Sequence, residues 1–248
     1  MTVGVLVIGD EILSGKRQDK HLAHAIAALA QRGIGVAYAH YLGDERDRLA
    51  AFLRGTFAAA DVLFSFGGIG ATPDDHTRQA AAAALGVPLA AHPDAVREIE
   101  GRFGAEAYPH RVRMAEFPEG SRIIPNPYNR IAGFAVRDHC FFPGFPEMAW
   151  PMLDWVLEHW YGRLAGEQPV ELAVVVHDAG EGQLLPLMER ITAQFPRVKL
   201  FSLPSFRADG SRRLELGVRG LARDIAPAFD VLRDGVAASG FAWQPLAR

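Results

Sequence analysis

The residues best suited to chemistry are Gly67-Gly68-Ile69-Gly70-Ala71-Thr72-Pro73-Asp74-Asp75. Glycines at 67, 68 and 70 remove side chains, so a ligand can approach the backbone N–H groups. Thr72 can cap a helix with Pro73 at its first position, and a helix N-terminus after a glycine turn is an anion site. Asp74 and Asp75 would then lie in the first helical turn, where they repel a bare phosphate. A divalent metal, Mg²⁺ or a similar ion, held between these carboxylates and a phosphate removes the conflict. The alternative is that both aspartates only complement the helix dipole, at about 0.3 to 1 kcal/mol each, with Asp75 as the capping-box partner of Thr72.

A second acidic, glycine-flanked segment, Gly9-Asp10-Glu11-Ile12-Leu13-Ser14-Gly15-Lys16, comes after the first apolar run. Ligands of parallel sheets sit beyond the carboxyl ends of strands, so this segment and the turn at 67–75 would face one crevice. Asp10 and Glu11 also read as solvated loop charges and Ser14 as a turn residue. Asp44, in Leu42-Gly43-Asp44-Glu45, could face the same crevice, and taken alone it reads as a helix N-cap. Pro143-Gly144-Phe145-Pro146-Glu147 joins a strand to a helix, and the N–H groups of Gly144 and Phe145 could hold a second phosphate. His76 could act as acid or base beside the acidic pair, or be a surface residue. His21 and His24 read as helix-surface residues. The P-loop, dinucleotide, serine-hydrolase and zincin signatures are absent.

The elements that would position these residues emerge from periodicity. Val3 to Ile8 and Asp61 to Phe66 are continuous apolar runs, as strands buried on both faces are. Between them, Asp19 caps a helix carrying Leu22, Ile26 and Leu29 that stops at Gly33. Ile34 to Leu42 reads as a strand, succeeded by a helix carrying Leu49, Phe52, Leu53 and Phe57. This βαβα alternation predicts an α/β fold with a mostly parallel sheet between helices. An alanine-rich helix to Leu85 and another over Asp94 to Phe103 come next. Residues 108–133 read as a site-bordering excursion with one clear short strand, Arg122 to Ile124. A hairpin turned at Asp138-His139 then leads to a helix from Glu147 to about Tyr161. The polar stretch 162–169 marks a boundary, giving one domain over 1–165 and a second over 166–248. The second reads βαββαβ, the ferredoxin-like α+β plan.

With 248 residues, 49% hydrophobic and 22% charged, the chain is long enough for two cored units. A net charge of −3 without a basic stripe argues against a nucleic-acid partner. Cys140, alone and in an apolar stretch, reads as a buried small hydrophobe. Lacking a signal-peptide core or a run long enough to span a bilayer, the chain is expected to be cytoplasmic, without a membrane partner, and a homo-oligomer is left open.

Together, Gly9 to Gly15, Gly43-Asp44-Glu45, Gly67 to Arg78 and Pro143-Gly144-Phe145-Pro146-Glu147-Met148 resemble, in the same order, the molybdopterin-binding fold of the CinA (competence/damage-inducible) family. The likeness covers roughly Thr2 to Tyr161. The wider superfamily includes MogA-like and MoaB-like proteins. The resemblance implies a three-layer αβα fold. It also implies binding roles for Gly67, Gly68, Gly70 and Thr77, a metal or catalytic role for Asp44, Asp74 and Asp75, and a phosphate at Gly144. The ligand would be a nucleotide or a pterin such as molybdopterin. The expected reaction is metal-dependent hydrolysis of a nucleotide pyrophosphate such as ADP-ribose, with molybdopterin adenylyl transfer or non-catalytic binding as alternatives. Two departures stand out: Ile69 replaces the usual threonine of the cofactor-biosynthesis proteins, and His76 replaces a usual aliphatic residue. Long family members add an amidase domain, for which the last 80 or so residues are too few, so no deamidase activity is expected.

Overall fold

The computed structural model describes residues 2–162, 167, 169–207 and 210–246. Residue contacts cluster into two compact units, Met1–Gly166 and Glu167–Arg248. The expected boundary at 165/166 falls within 163–166, outside the described residues.

The first unit runs β1 (Val3–Ile8), α1 (Asp10–Leu13), α2 (His21–Ala30), β2 (Tyr38–Leu42), α3 (Arg46–Ala58), β3 (Val62–Phe66), α4 (Thr77–Leu85), β4 (Leu89–Ala91), α5 (Pro93–Phe103), β5 (Glu116–Pro118), β6 (Arg122–Ile124), β7 (Gly133–Val136), β8 (His139–Phe142) and α6 (Pro146–His159). Its main sheet has the order β2-β1-β3-β8-β7-β6. The first four strands are parallel, and β7 and β6 continue the sheet antiparallel. β1 and β3 are buried throughout because the sheet is covered on both faces. Val3, Val5 and Val7 belong to one core with Ala25 and Leu29 of α2 and Met152, Leu153 and Val156 of α6. Leu6 and Ile8 belong to the other with Leu49 and Leu53 of α3, Ala81 of α4 and Ile99 of α5. The period of two along β1 thus becomes three layers, αβα.

Two expectations need correction. Pairing of β2 with β1 begins at Gly4↔Tyr38, so the strand starts later than Ile34. Ile34 instead turns into the core, and Gly4 leaves room for the Tyr38 ring, which a Cβ there would overlap. In the excursion, β5 pairs antiparallel with β4, a ladder missed because three-residue strands have no period to read.

The second unit runs β9 (Val170–His177), α7 (Glu181–Gln194), β10 (Lys199–Phe206), β11 (Arg212–Gly220), α8 (Ala222–Ala238) and β12 (Trp243–Pro245). Its sheet has the order β10-β11-β9-β12, antiparallel throughout. Leu184, Leu187 and Ile191 of α7 and Ile225, Ala228 and Leu232 of α8 pack on Val174, Val176, Leu214 and Leu216 of that sheet. This is the ferredoxin-like plan. No helix among the described residues is long and apolar enough to cross a membrane.

Candidate functional site

At the end of β1, Gly9 takes a φ of +154° and donates its N–H to the Leu42 carbonyl at 3.0 Å, so the glycine shapes the turn with its own N–H engaged. Instead of a plain loop, the chain then forms the single turn of α1, with Asp10 and Glu11 in it, Ser14 at its C-cap and Gly15 at a φ of +73°. Asp10 donates its N–H to Asp44 Oδ2 at 2.9 Å, and Asp44 donates its N–H to Asp10 Oδ1 at 3.3 Å. Gly43 leaves room there for the Asp10 carboxylate, which a Cβ would push aside. Asp44 therefore does not cap α3; the N-cap is Glu45, with no side-chain bond. The strands β1 and β2 are neighbours, so the carboxylate finds its donor across the sheet instead of along the chain. Burial pushes the Asp44 carboxyl up, and the charges of Asp10, Glu11 and Asp74 add to this against the bond from the Asp10 N–H.

The glycine turn after β3 is anchored from three sides. Gly67 donates its N–H to the Phe142 carbonyl at 3.0 Å, and a Cβ at this φ of +107° would overlap the Ile8 carbonyl. Thr77, fully buried, donates its hydroxyl to the Gly67 carbonyl at 3.0 Å and its N–H to the Gly68 carbonyl at 3.0 Å. It thus braces the turn from behind. Arg78, only 3% exposed, donates from Nη2 to the Gly70 carbonyl at 2.6 Å and from Nη1 to the carbonyls of Arg113 (2.5 Å) and Glu116 (3.1 Å). This clamp joins the turn to the excursion. The N–H groups of Gly68, Ile69, Gly70 and Ala71 have no acceptor among the described residues. Successive unpaired N–H groups around a left-handed glycine, here Gly68 at a φ of +67°, make an anion-binding concavity.

The helix does not start at Pro73. Thr72 donates its N–H (2.9 Å) and its hydroxyl to Asp75 Oδ2, and Asp75 donates its N–H back to the Thr72 carbonyl at 3.0 Å. The pair closes residues 72–75 into a turn of their own, and α4 begins at Thr77 with His76 at its N-cap. Asp74 and Asp75 are therefore loop residues, not first-turn helix residues. Asp74 is held below its ordinary value chiefly by the neighbouring Thr72, with its own N–H and the charge of His76 contributing, although the Thr72 hydroxyl proton itself goes to Asp75.

The turn after β8 packs directly on the glycine turn, since a Cβ on Gly144 would lie 3.5 Å from the Gly67 Cα. The N–H groups of Gly144 and Phe145 are unpaired within the described residues, and α6 starts at Pro146. Below lies His21, expected on a helix surface. It is 5% exposed, stacked on Phe66 at 4.7 Å, and donates from Nε2 to the Gly144 carbonyl at 3.1 Å. Burial lowers its affinity for a second proton. Asp19 caps α2 by accepting from the N–H groups of His21 (2.7 Å) and Leu22 (3.2 Å), which seats this histidine. A cavity of about 360 Å³ lies here, lined by Glu11, Arg17, Lys20, His21, Gly144, Phe145 and Glu147 among others.

Strand order thus brings together Asp10, Glu11, Asp44, the turn at 67–71 and Gly144-Phe145, with Asp74 close enough to act on Asp44. Ser14 and Gly15 do not line the cavity, and Asp75 is tied to Thr72. Arg78, Arg17 and Lys20 were not singled out from sequence; no spacing rule marks a buried arginine whose acceptors are distant carbonyls. For a metal, the donor set of hard carboxylate oxygens fits Mg²⁺, which takes one or two carboxylates plus substrate phosphates. It does not form a closed protein cage, since no group of three or more His, Cys, Asp or Glu among the described residues could hold an ion.

This fold and crevice define a ligand-binding α/β protein of the molybdopterin-binding type. The family described as "Probable molybdopterin binding domain" matches residues 4–162, and the chain belongs to it. Relatives named CinA-like protein include those from Anaeromyxobacter sp. (33% identical over 245 residues, 90% of this chain and 60% of the relative) and Citrifermentans bemidjiense (36% over 218 residues, 81% and 53%). The chain therefore spans a little over half the length of these relatives. Among solved structures, a protein CinA of unknown function from Thermoplasma acidophilum is similar, with a TM-score of 0.59 and 28% identity, covering 64% of this chain and 98% of that one.

Proposed function

We propose that the first unit binds a phosphorylated ligand, a nucleotide or a pterin, in the crevice beyond β1, β2, β3 and β8, and hydrolyses a nucleotide pyrophosphate such as ADP-ribose with a divalent metal. The observation carrying this reading is the nearness of four unpaired N–H groups at Gly68 to Ala71 to the Asp44 carboxylate, which the charges of Asp10 and Glu11 act on. An anion alone is repelled by the carboxylates, and a cation alone leaves the N–H groups unused. A metal–phosphate pair satisfies both. When bound, Mg²⁺ or a similar ion supplies charge neutralisation at the phosphates. The chain's residues do the rest. The N–H groups of the glycine turn and of Gly144-Phe145 orient the phosphate oxygens, Asp44 and Asp10 hold the cation side, and the exposed carboxylate of Asp74 orients water toward the phosphorus.

The test is incubation with ADP-ribose, FAD and ATP plus Mg²⁺, comparing the native chain with Asp44→Asn and Asp74→Ala. Turnover should fall at least about 100-fold in Asp44→Asn, as loss of a charge-positioning group does. No turnover of any substrate by the native protein would sink the enzyme claim. The family's own description favours molybdopterin as the ligand, and a second reading joins to that ligand adenylyl transfer as the reaction. Binding of nucleotides without molybdopterin would exclude it. Ligand binding indifferent to chelation, with no product, would leave a non-catalytic binding module.

A further inference from the structure

Phe145 fills the N-cap position of α6, yet the residue is 54% exposed and belongs to neither core of the first unit. An exposed aromatic ring is ordinary on a protein surface. Here it lines a cavity of about 360 Å³, large enough for a bicyclic ring with its sugar. Arg17 and Lys20, neither in an ion pair among the described residues, line the same cavity beside the carboxylates of Glu11, Asp19 and Glu147, so an incoming phosphate meets both signs of charge there. Its floor is rigid, because His21 is clamped between Phe66 and the Gly144 carbonyl. The cavity abuts the glycine turn through the Gly144–Gly67 contact. A ligand with a phosphate on the turn therefore reaches Phe145 with its next group.

We infer that Phe145 is a specificity-determining residue whose ring stacks on an aromatic heterocycle of the phosphorylated ligand, while Arg17 and Lys20 neutralise the charge the phosphates bring to the rim. The site thus takes heterocycle-bearing phosphates in preference to sugar phosphates or inorganic pyrophosphate. This rests on the proposed phosphate site and adds to it the residue that selects the other half of the ligand. The ring is well placed for the role, because the two prolines near it, Pro143 and Pro146, limit its backbone freedom and little ordering remains to be done on binding.

The experiment is calorimetric titration, with Mg²⁺ present, of the full chain with two non-hydrolysable probes, α,β-methylene-ADP and methylenediphosphonate. The expected result is that Phe145→Leu weakens the ADP analogue about 5- to 100-fold, the range for one lost base–aromatic stack. Methylenediphosphonate should bind as before, and Phe145→Trp should retain the ADP analogue and report it by quenched tryptophan fluorescence. If Phe145→Leu weakens both probes equally, or neither, the stacking role is overturned while the phosphate site stands. If the native chain binds neither probe, the phosphate site itself fails and this inference with it. The ring's exposure keeps the variants foldable, which a thermal melt confirms.

Discussion

At the end of the sheet where β2, β3 and β8 begin, Tyr38 donates to Asp61 at 2.7 Å, and the Thr56 hydroxyl donates to the Leu53 carbonyl while accepting from His139 Nε2 at 2.8 Å. Asp61, Thr56 and His139 are all buried. At the opposite end, where β1, β2, β3 and β8 finish, N–H groups of the glycine turn and of Gly144-Phe145 stay unpaired, and the charges of Asp10 and Glu11 help to raise the Asp44 carboxyl. One sheet thus pairs these side chains with each other at one end, His139 Nδ1 alone among them staying buried without a partner, and leaves backbone N–H groups open at the other. The closed end serves stability. The open end carries local cost that a ligand can offset, as expected where strand ends form a crevice.

The contrast can be broken or sharpened by substitution. The largest effect is expected from Gly67→Ala, which forces a left-handed residue and a clash with the Ile8 carbonyl. Urea unfolding should show a loss on the order of 3 kcal/mol, and an unchanged midpoint would mean the turn is not as tightly held as its contacts require. At the closed end, burial lowers the His139 imidazole from 6.5 to about 4. The unfolded chain takes the proton first, so this contribution is complete above pH 6.5 and drains away as the pH falls toward about 4. The loss should total about 3 kcal/mol, and His139→Phe should flatten that limb of the stability curve. A native-like acid slope in the variant would assign it to other groups.

Arg78→Lys keeps the charge and loses the planar fork that reaches three carbonyls. Phosphate-probe affinity should fall about tenfold, near 1.4 kcal/mol, with circular dichroism unchanged; unaltered affinity would make the clamp purely structural. The smallest effect is on stability in Asp44→Asn. An Asn oxygen can still accept the Asp10 N–H, and the repulsion is gone. A carboxyl raised by folding loses stability as it ionises, so in urea melts across pH the variant should gain a few tenths of a kcal/mol only above the carboxylate range.

Much of this was legible along the chain. The doubly buried runs at Val3–Ile8 and Val62–Phe66, the glycines at 67, 68 and 70, and the βαββαβ order of the second unit all express local period or local backbone need, which neighbouring residues alone can signal. The cap assignments at Asp44 and Thr72 failed for different reasons: Asp44 bonds across the sheet to Asp10, and Thr72 closes a separate turn with Asp75 before the helix begins.

What only the tertiary structure decided is which distant groups share a bond. Asp44 meets Asp10 across 34 residues, and Arg78 meets carbonyls 35 and 38 residues away. The physical reason is that a carboxylate or guanidinium is satisfied by any donor or acceptor at hydrogen-bond distance, whatever its place in the chain. Strand order sets those distances: β1 between β2 and β3 draws the loops after Ile8, Leu42 and Phe66 to one edge. Residue types determined that the chain has glycine turns and acidic clusters; the sheet determined that the loops carrying them meet at one of its ends.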